Sequence, residues 1–510
     1  MSAARGSPGF AARIFRGDAR CSTGREPRRS LPPRAARAAS SDHPRGDRGT
    51  EKARRGVPHS GYHRTVGARR PFFEGWYFRV TLPEARDNLS LIYHVYDPDL
   101  RDSPRRAAGA QVCTPGGGYL FRESQDVDAF AAAPHALALR MPMGRPNDAA
   151  SSSAEVSEER FFLEFFEVSD DGRRHRGCLV ASATREDESI WPSAKRVERV
   201  AWDFSVSVRA GFGANGDADS THRSTAGWLS ALPVFEPHYQ ILMAHGLATG
   251  HVTVDGEKTA FANAPAYAEK NWGGAGFPSK WFWTQCNAFP SAPGVSVTAT
   301  GANRGVVLVP GMREEVAGIL IHVPVAPGSN ASGTDGETDE ETGAASSAFA
   351  LYQFLPIRAG GEEPAEIAWR VAPWGSWRVS AKTSTHECVV SCCIDPKDAR
   401  PGNTTVLRAP VDDHRRGMEP SCRESFRGRM TVSLWERKGR GWGSGARGRA
   451  LLDAVVSDVA AVEVGGGPWD ETWEGTAEMR EPLGTLAGAE VDVRAVADFF
   501  APLGDVAPGL

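Results

Sequence analysis

Two carboxylates in this chain sit inside aromatic runs, where a carboxylate is costly. The first is Glu74, in Pro71-Phe-Phe-Glu-Gly-Trp-Tyr-Phe-Arg-Val80. Read as a β-strand with side chains alternating between faces, Glu74 shares its face with Trp76, Phe78 and Val80. A carboxyl on a dry, aromatic-walled face favours its neutral form, so its pKa rises by up to several units. Such a group holds a proton at neutral pH and can deliver it to a poor base. The competing expectation is an ion pair between Glu74 and an Arg or Lys across the sheet.

The second carboxylate, Glu269, stands in Tyr267-Ala-Glu-Lys-Asn-Trp-Gly-Gly274, shortly before Lys280-Trp-Phe-Trp-Thr-Gln-Cys-Asn287. On a strand, Tyr267, Glu269 and Asn271 face one way, and Lys270 and Trp272 the other. Trp281, Trp283, Gln285 and Asn287 likewise share a face. Indoles beside a few polar groups are the composition of a cavity for an apolar molecule with one polar end. Gly273, Gly274 and Gly276 mark a bend where backbone can approach a ligand closely. The plainer alternative makes Glu269 and Lys270 a sheet-edge ion pair and Trp-Phe-Trp ordinary core. His238, next to Pro237 and near Glu236, is either a structural hydrogen-bonder or a base.

Other chemistries lack their motifs. There is no phosphate loop, dinucleotide fingerprint or Gly-x-Ser-x-Gly elbow, and Gly465-Gly-Gly-Pro-Trp469 has no following Lys-Ser/Thr. These absences favour chemistry without a cofactor. The eight Cys form no Cys-x-x-Cys pair. Their one cluster, His386, Cys388, Cys392 and Cys393, puts two adjacent Cys on opposite sides of a strand, so no metal site is expected. Reduced, partly buried thiols fit better.

The elements that must position these residues are strands. Alternation and turn punctuation suggest strands at 89–96, 161–168, 204–208, 240–244, 251–254, 280–288, 306–309, 318–325, 377–381 and 430–436. Val254-Asp-Gly-Glu257 supplies hairpin chemistry. The clearest helical face is at 491–500. The fold expected is mostly β, antiparallel, with few short helices, and strands at this spacing imply barrels or sandwiches. Residues 145–159 and 328–346 are too polar to pack and read as inserted surface loops.

The 510 residues exceed one small core and argue for two domains plus a tail. The first 57 residues hold 13 Arg and one Lys against five acids, so within a total net charge of -4 the remainder carries -13. An acidic body disfavours nucleic acid as partner. The head is Arg-, Ala-, Ser- and Pro-rich and lacks the apolar stretch of a secretory signal. It reads as an organellar transit peptide, or else as a basic arm that binds RNA or membrane. No apolar run is long enough to span a bilayer. Fourteen Trp and 23 Phe against eight Met suggest pockets walled by rigid rings.

Longer motifs carry a resemblance. Pro58-His-Ser-Gly-Tyr-His63, Phe72-Phe-Glu-Gly-Trp-Tyr-Phe78, Ser224-Thr-Ala-Gly-Trp228, Phe235-Glu-Pro-His238, Tyr267–Gly274 and Lys280-Trp-Phe-Trp283 are similar to the plant and algal tocopherol cyclase family. So are Ala372-Pro-Trp-Gly375, Leu407-Arg-Ala-Pro410, Leu434-Trp-Glu-Arg437 and Ala461-Val-Glu-Val-Gly-Gly-Gly-Pro-Trp469. The chain departs from the family pattern at Ala275, His245, His251 and the Cys388–Cys393 cluster. The resemblance implies two lipocalin-like β-barrels, here placed at 58–300 and 301–510, behind a plastid transit peptide at 1–57. It implies a chloroplast enzyme at thylakoids and plastoglobules that closes the chromanol ring of vitamin E from prenylated benzoquinols.

That reaction needs a proton on a trisubstituted alkene, giving a tertiary cation that the phenol oxygen captures. An alkene is a very weak base, so the acid must be positioned, desolvated and already protonated. Glu74 and Glu269 are the expected acids, with His238 as a third catalytic candidate. Tyr267, Lys270 and Asn271 would hold the phenolic end, and Tyr77 and Asn287 are further substrate-binding candidates. Trp76, Trp272, Trp281 and Trp283 would steady the cation through their π faces. Two other readings remain open: a lipocalin-like carrier of prenylquinols, and an isoprenoid hydratase.

Overall fold

The computed structural model describes residues 57–64, 70–144, 164–181, 195–213, 222–227, 230, 236–274, 276–305, 313–325, 349–358, 363–400, 403–410, 417–438, 445–466 and 471–477. The Arg-rich head to residue 56, the polar loops at 145–159 and 328–346, the strand expected at 306–309 and the helix expected at 491–500 lie outside them.

Among the described residues the fold is β throughout, with two three-residue 3-10 turns, Pro83–Ala85 and Val127–Ala129. The strands form two large sheets of twelve and ten strands in order, the second with one further strand, Thr405–Pro410, beside Met418–Arg437. In the first sheet the central strands run His238–Val254, Glu257–Gly273, Phe73–Leu82 and Asp87–Tyr96, all antiparallel. In the second, Lys280–Cys286 lies between Ser296–Gly305 and Arg447–Gly465. The chain passes from one sheet to the other between Gly273 and Lys280, so a division at residue 300 would cut the strand Ser296–Gly305.

The alternation seen in the sequence explains the layering. Trp76, Phe78 and Val80 point into a core enclosed by the first sheet, together with Leu91, Tyr93, Phe166 and Trp202. The second sheet encloses its own core around Phe282, Trp369, Trp377 and Trp473. It curls far enough for the Trp473 indole to donate to Glu315 at 3.1 Å, joining the last strand of the sheet order to the second. Bulges in the long pairs His238–Val254/Glu257–Gly273 and Met418–Arg437/Arg447–Gly465 supply the bending. The hairpin at Asp255 and Gly256, both with positive φ, is the turn expected from its sequence.

A third apolar cluster lies between the sheets. It includes Ile241 and Tyr267 from the first and Trp281, Trp283, Leu407 and Phe426 from the second. Arg79 fastens this seam. Fully buried, it donates to the Gln285 carbonyl and side-chain oxygen at 3.1 and 2.9 Å and to the Val459 carbonyl at 2.6 Å. The strand Phe73–Leu82 therefore serves two compartments, its even-numbered residues one and its odd-numbered residues the other.

Candidate active site

The seam opens into a cavity of about 250 Å³. Tyr77, Tyr239, Glu269 and Asn271 reach it from the first sheet, and Trp281, Trp283 and Glu463 from the second. Period-two alternation brings Glu269 and Asn271 to this side together, as the sequence leads one to expect.

Glu269 is the chemical centre of the cavity. Its Oε2 accepts hydrogen bonds from the hydroxyls of Tyr239 and Tyr267, both at 2.6 Å, and from the Trp283 indole at 3.1 Å. All three hydrogen bonds fall on Oε2 and none on Oε1 among the described residues, and Glu269 lines the cavity. Burial raises the carboxyl, against the pull of the three donors, from 4.5 to about 7. At neutral pH a substantial share of Glu269 is therefore protonated.

Glu74 faces the other compartment. It is fully buried and meets Lys270 Nζ at 2.5 Å, while the His63 backbone N–H donates to its second oxygen at 2.9 Å. Burial alone would raise this carboxyl, but the Lys270 ammonium and His63 outweigh it and hold it below the ordinary range. Lys270 also donates to the Gly61 carbonyl at 2.7 Å and to His63 Nδ1 at 3.0 Å. The cross-sheet ion pair is thus the correct alternative for Glu74. A sheet-edge pair of Glu269 with Lys270 is excluded, because the two point to opposite sides.

The other expected site residues divide the same way. Trp76 and Trp272 stand beside the Lys270 ammonium, at 5.7 and 5.0 Å from ring centre to nitrogen, and not in the cavity. Only Trp281 and Trp283 of the four indoles face it. Tyr267 lies behind Glu269, supporting its carboxyl rather than lining the wall. Asn287 is also outside the wall, donating to the Ala266 carbonyl at 2.7 Å. His238 touches the cavity while stacking on Trp272 at 5.1 Å, and burial pushes its imidazole down to about 3. It is neutral at physiological pH and holds no second proton to give. Cys388 and Cys392 are packed into the second core.

Three polar residues escaped the reading of the sequence: Tyr239, Glu424 and Glu463. Glu424 and Glu463 are opposed in register on neighbouring strands. The Trp281 indole donates to Glu463 at 2.6 Å and the Tyr77 hydroxyl to Glu424 at 3.2 Å. The signal was available, since Ala461-Val-Glu-Val464 repeats the pattern that singled out Glu74, a carboxylate in an apolar strand.

A family model described as tocopherol cyclase-like matches residues 70–326 and 346–466. A protein of Zea mays named tocopherol cyclase, chloroplastic, is 35% identical over 455 residues, covering 86% of this chain and 84% of that one. One of Oryza sativa subsp. japonica, named probable tocopherol cyclase, chloroplastic, is 34% identical over 455 residues, with 86% and 85% covered. Among solved structures, CghA aligns with a TM-score of 0.37 at 9% identity, covering 81% of this chain and 94% of that chain. Kievitone hydratase from Nectria haematococca aligns at 0.29 and 13% identity, covering 82% and 99%. Likenesses at such scores bear on nothing that follows.

Proposed function

The chain belongs to the tocopherol cyclase-like family, and from that premise we propose that it closes the chromanol ring of vitamin E without a cofactor, with Glu269 as the acid. Its substrates would be dimethyl-phytyl-benzoquinol and methyl-phytyl-benzoquinol, and its products γ- and δ-tocopherol. The observation that carries this reading is the Glu269 carboxyl, buried in an aromatic cavity and raised to about 7, with one oxygen held by three donors and the other without a donor among the described residues.

In the reaction the Glu269 proton moves from Oε1 to the less substituted alkene carbon, forming a C–H bond from the π pair. The tertiary carbon becomes cationic. The neighbouring phenol oxygen donates a lone pair to it, the C–O bond forms, and the hydroxyl proton leaves to a base. Trp281 and Trp283 present π faces to the cation, each worth roughly 2 kcal/mol when water is absent. A dry wall also protects the cation from hydration. Tyr239 and Tyr267 stabilise the Glu269 carboxylate left behind.

Product analysis tests this directly. Purified protein incubated with dimethyl-phytyl-benzoquinol should yield a chromanol by chromatography. A tertiary alcohol would identify a hydratase instead, and unchanged substrate a carrier. The E269Q variant should lose turnover by roughly 10²–10⁴-fold with substrate still bound. The relatives are named chloroplastic, and the Arg-rich head fits import into that organelle. A lipid-dissolved quinol would bring the enzyme to a thylakoid or plastoglobule surface.

A further inference from the structure

The ring closure just described releases a hydroxyl proton, and Glu269 stands on only one wall of the cavity. The opposite wall carries a second acidic centre. Glu463 lines the cavity, and its register partner Glu424 lies behind it with no exposure. Two carboxylates side by side in a dry seam cannot both stay charged. The donors around them are few: the Trp281 indole and the Cys422 thiol for Glu463, and the Tyr77 hydroxyl for Glu424. The guanidinium of Arg79 gives its hydrogen bonds to Gln285 and Val459 and reaches Glu424 only through its charge, which falls short of offsetting burial and the Glu463 charge.

The geometry says which member keeps a proton. Glu424 Oε2 is buried with no hydrogen-bond partner among the described residues. A bare carboxylate oxygen there is expensive, and a proton on Glu424 removes the charge. Glu463, open to the cavity, is left as the carboxylate. In agreement, burial and the Glu463 charge push Glu424 well above the ordinary range, and burial raises Glu463 as well.

We propose that Glu463 is the group that takes the hydroxyl proton of the bound aromatic ring, and that this side chain is the source of the preference for a quinol over a quinone that ring closure requires. The proposal rests on the cyclase reading for the reaction it serves. Acid and base then come from different sheets: Glu269 gives a proton to carbon, the phenol O–H electron pair stays on oxygen, and Glu463 gains the proton. Its return to Glu269 restores the enzyme with no net change in protons and no oxidant. A quinol hydroxyl donates to the Glu463 carboxylate. A quinone presents only acceptor oxygens, so acceptor would face acceptor in a dry site.

Binding tests this independently of catalysis. The probes are a dimethyl-hydroquinone with a saturated isoprenoid tail, which has no alkene to cyclise, and its quinone. Calorimetric titration under anaerobic conditions at pH 8 should give at least about tenfold tighter binding of the quinol. The preference should shrink as pH falls and Glu463 is protonated. In E463Q, whose amide both donates and accepts, it should fall to within about threefold, and turnover of the unsaturated quinol should drop by about 10²-fold or more. Equal binding of both probes by the wild-type protein overturns the proposal, as does a preference that survives E463Q or stays flat with pH. If E463Q fails to fold, the wild-type pH series decides. Failure of the wild-type protein to cyclise any quinol would sink the cyclase reading and leave this binding preference standing or falling by itself.

Discussion

Glu74 and Glu269 lie on adjacent strands of one sheet, both buried, and their pKa values move in opposite directions. Glu74 faces the inner compartment, where Lys270 meets it at 2.5 Å and holds it ionised. Glu269 faces the seam, where its donors are two phenols and an indole, all neutral, and burial prevails. Burial is common to both, so it cannot be what separates them. The difference lies in whether the neighbour brings a full charge or only a dipole. One compartment becomes a structural ion pair and the other a reservoir for one proton.

The comparison breaks or holds first on activity. E269Q should lose orders of magnitude in chromanol formation, whereas E74Q should stay within about tenfold of wild type in the protein that folds. Equal losses in the two variants would erase the distinction.

Next comes stability. K270M leaves the Glu74 charge buried without its main partner and should cost about 3–5 kcal/mol in denaturant unfolding. The double variant E74L/K270M, with no charge left to bury, should regain most of that. A cost below about 1 kcal/mol for K270M would mean that Glu74 is not ionised.

The pH dependence of stability should carry opposite signs at the two sites. Glu269 is raised from 4.5 to about 7 in the fold, so between those values the folded protein holds a proton that the unfolded chain has released. Stability therefore falls as pH rises through this window, by about 3 kcal/mol in all. E269Q, which never ionises, should be more stable than wild type at pH 8 by up to that amount and no more stable at pH 4. Glu74 is lowered, so its contribution is present at neutral pH and is lost as pH falls through its lowered value. Unfolding of E269Q and wild type across pH 4–8 checks the sign, and parallel curves would refute it.

The smallest effect sharpens the account of Glu269. Y239F removes a donor to its carboxylate, so the carboxyl should rise further and the alkaline limb of the kcat/KM profile should move to higher pH. A shift to lower pH would show that the phenols do not hold the ionised form.

Much of the architecture could be read before folding. Strand alternation separated Tyr267, Glu269 and Asn271 from Lys270 and Trp272, and the structure keeps that separation because a pleated strand admits no other. The hairpin at Asp255 and Gly256 was equally local. What could not be read were partnerships across distant parts of the chain. Lys270 lies 196 positions from Glu74, and its indole neighbours Trp76 and Trp272 were assigned to a cation site when they flank an ammonium. Tyr239, which completes the support of Glu269, sits on a third strand. Glu463 was overlooked although its setting, one acid between valines, was the same clue used for Glu74.

The sequence alone settled that this chain makes strands and which side of each strand a residue occupies, because side-chain period is a property of the backbone. Its long motifs also settled the family. Only the tertiary structure decided which carboxyl meets a cation and which meets neutral donors, since that depends on which strands meet and in what register. A buried carboxyl takes its protonation from whatever lies within a few ångströms, and here the folded sheets put an ammonium on one side and phenols on the other.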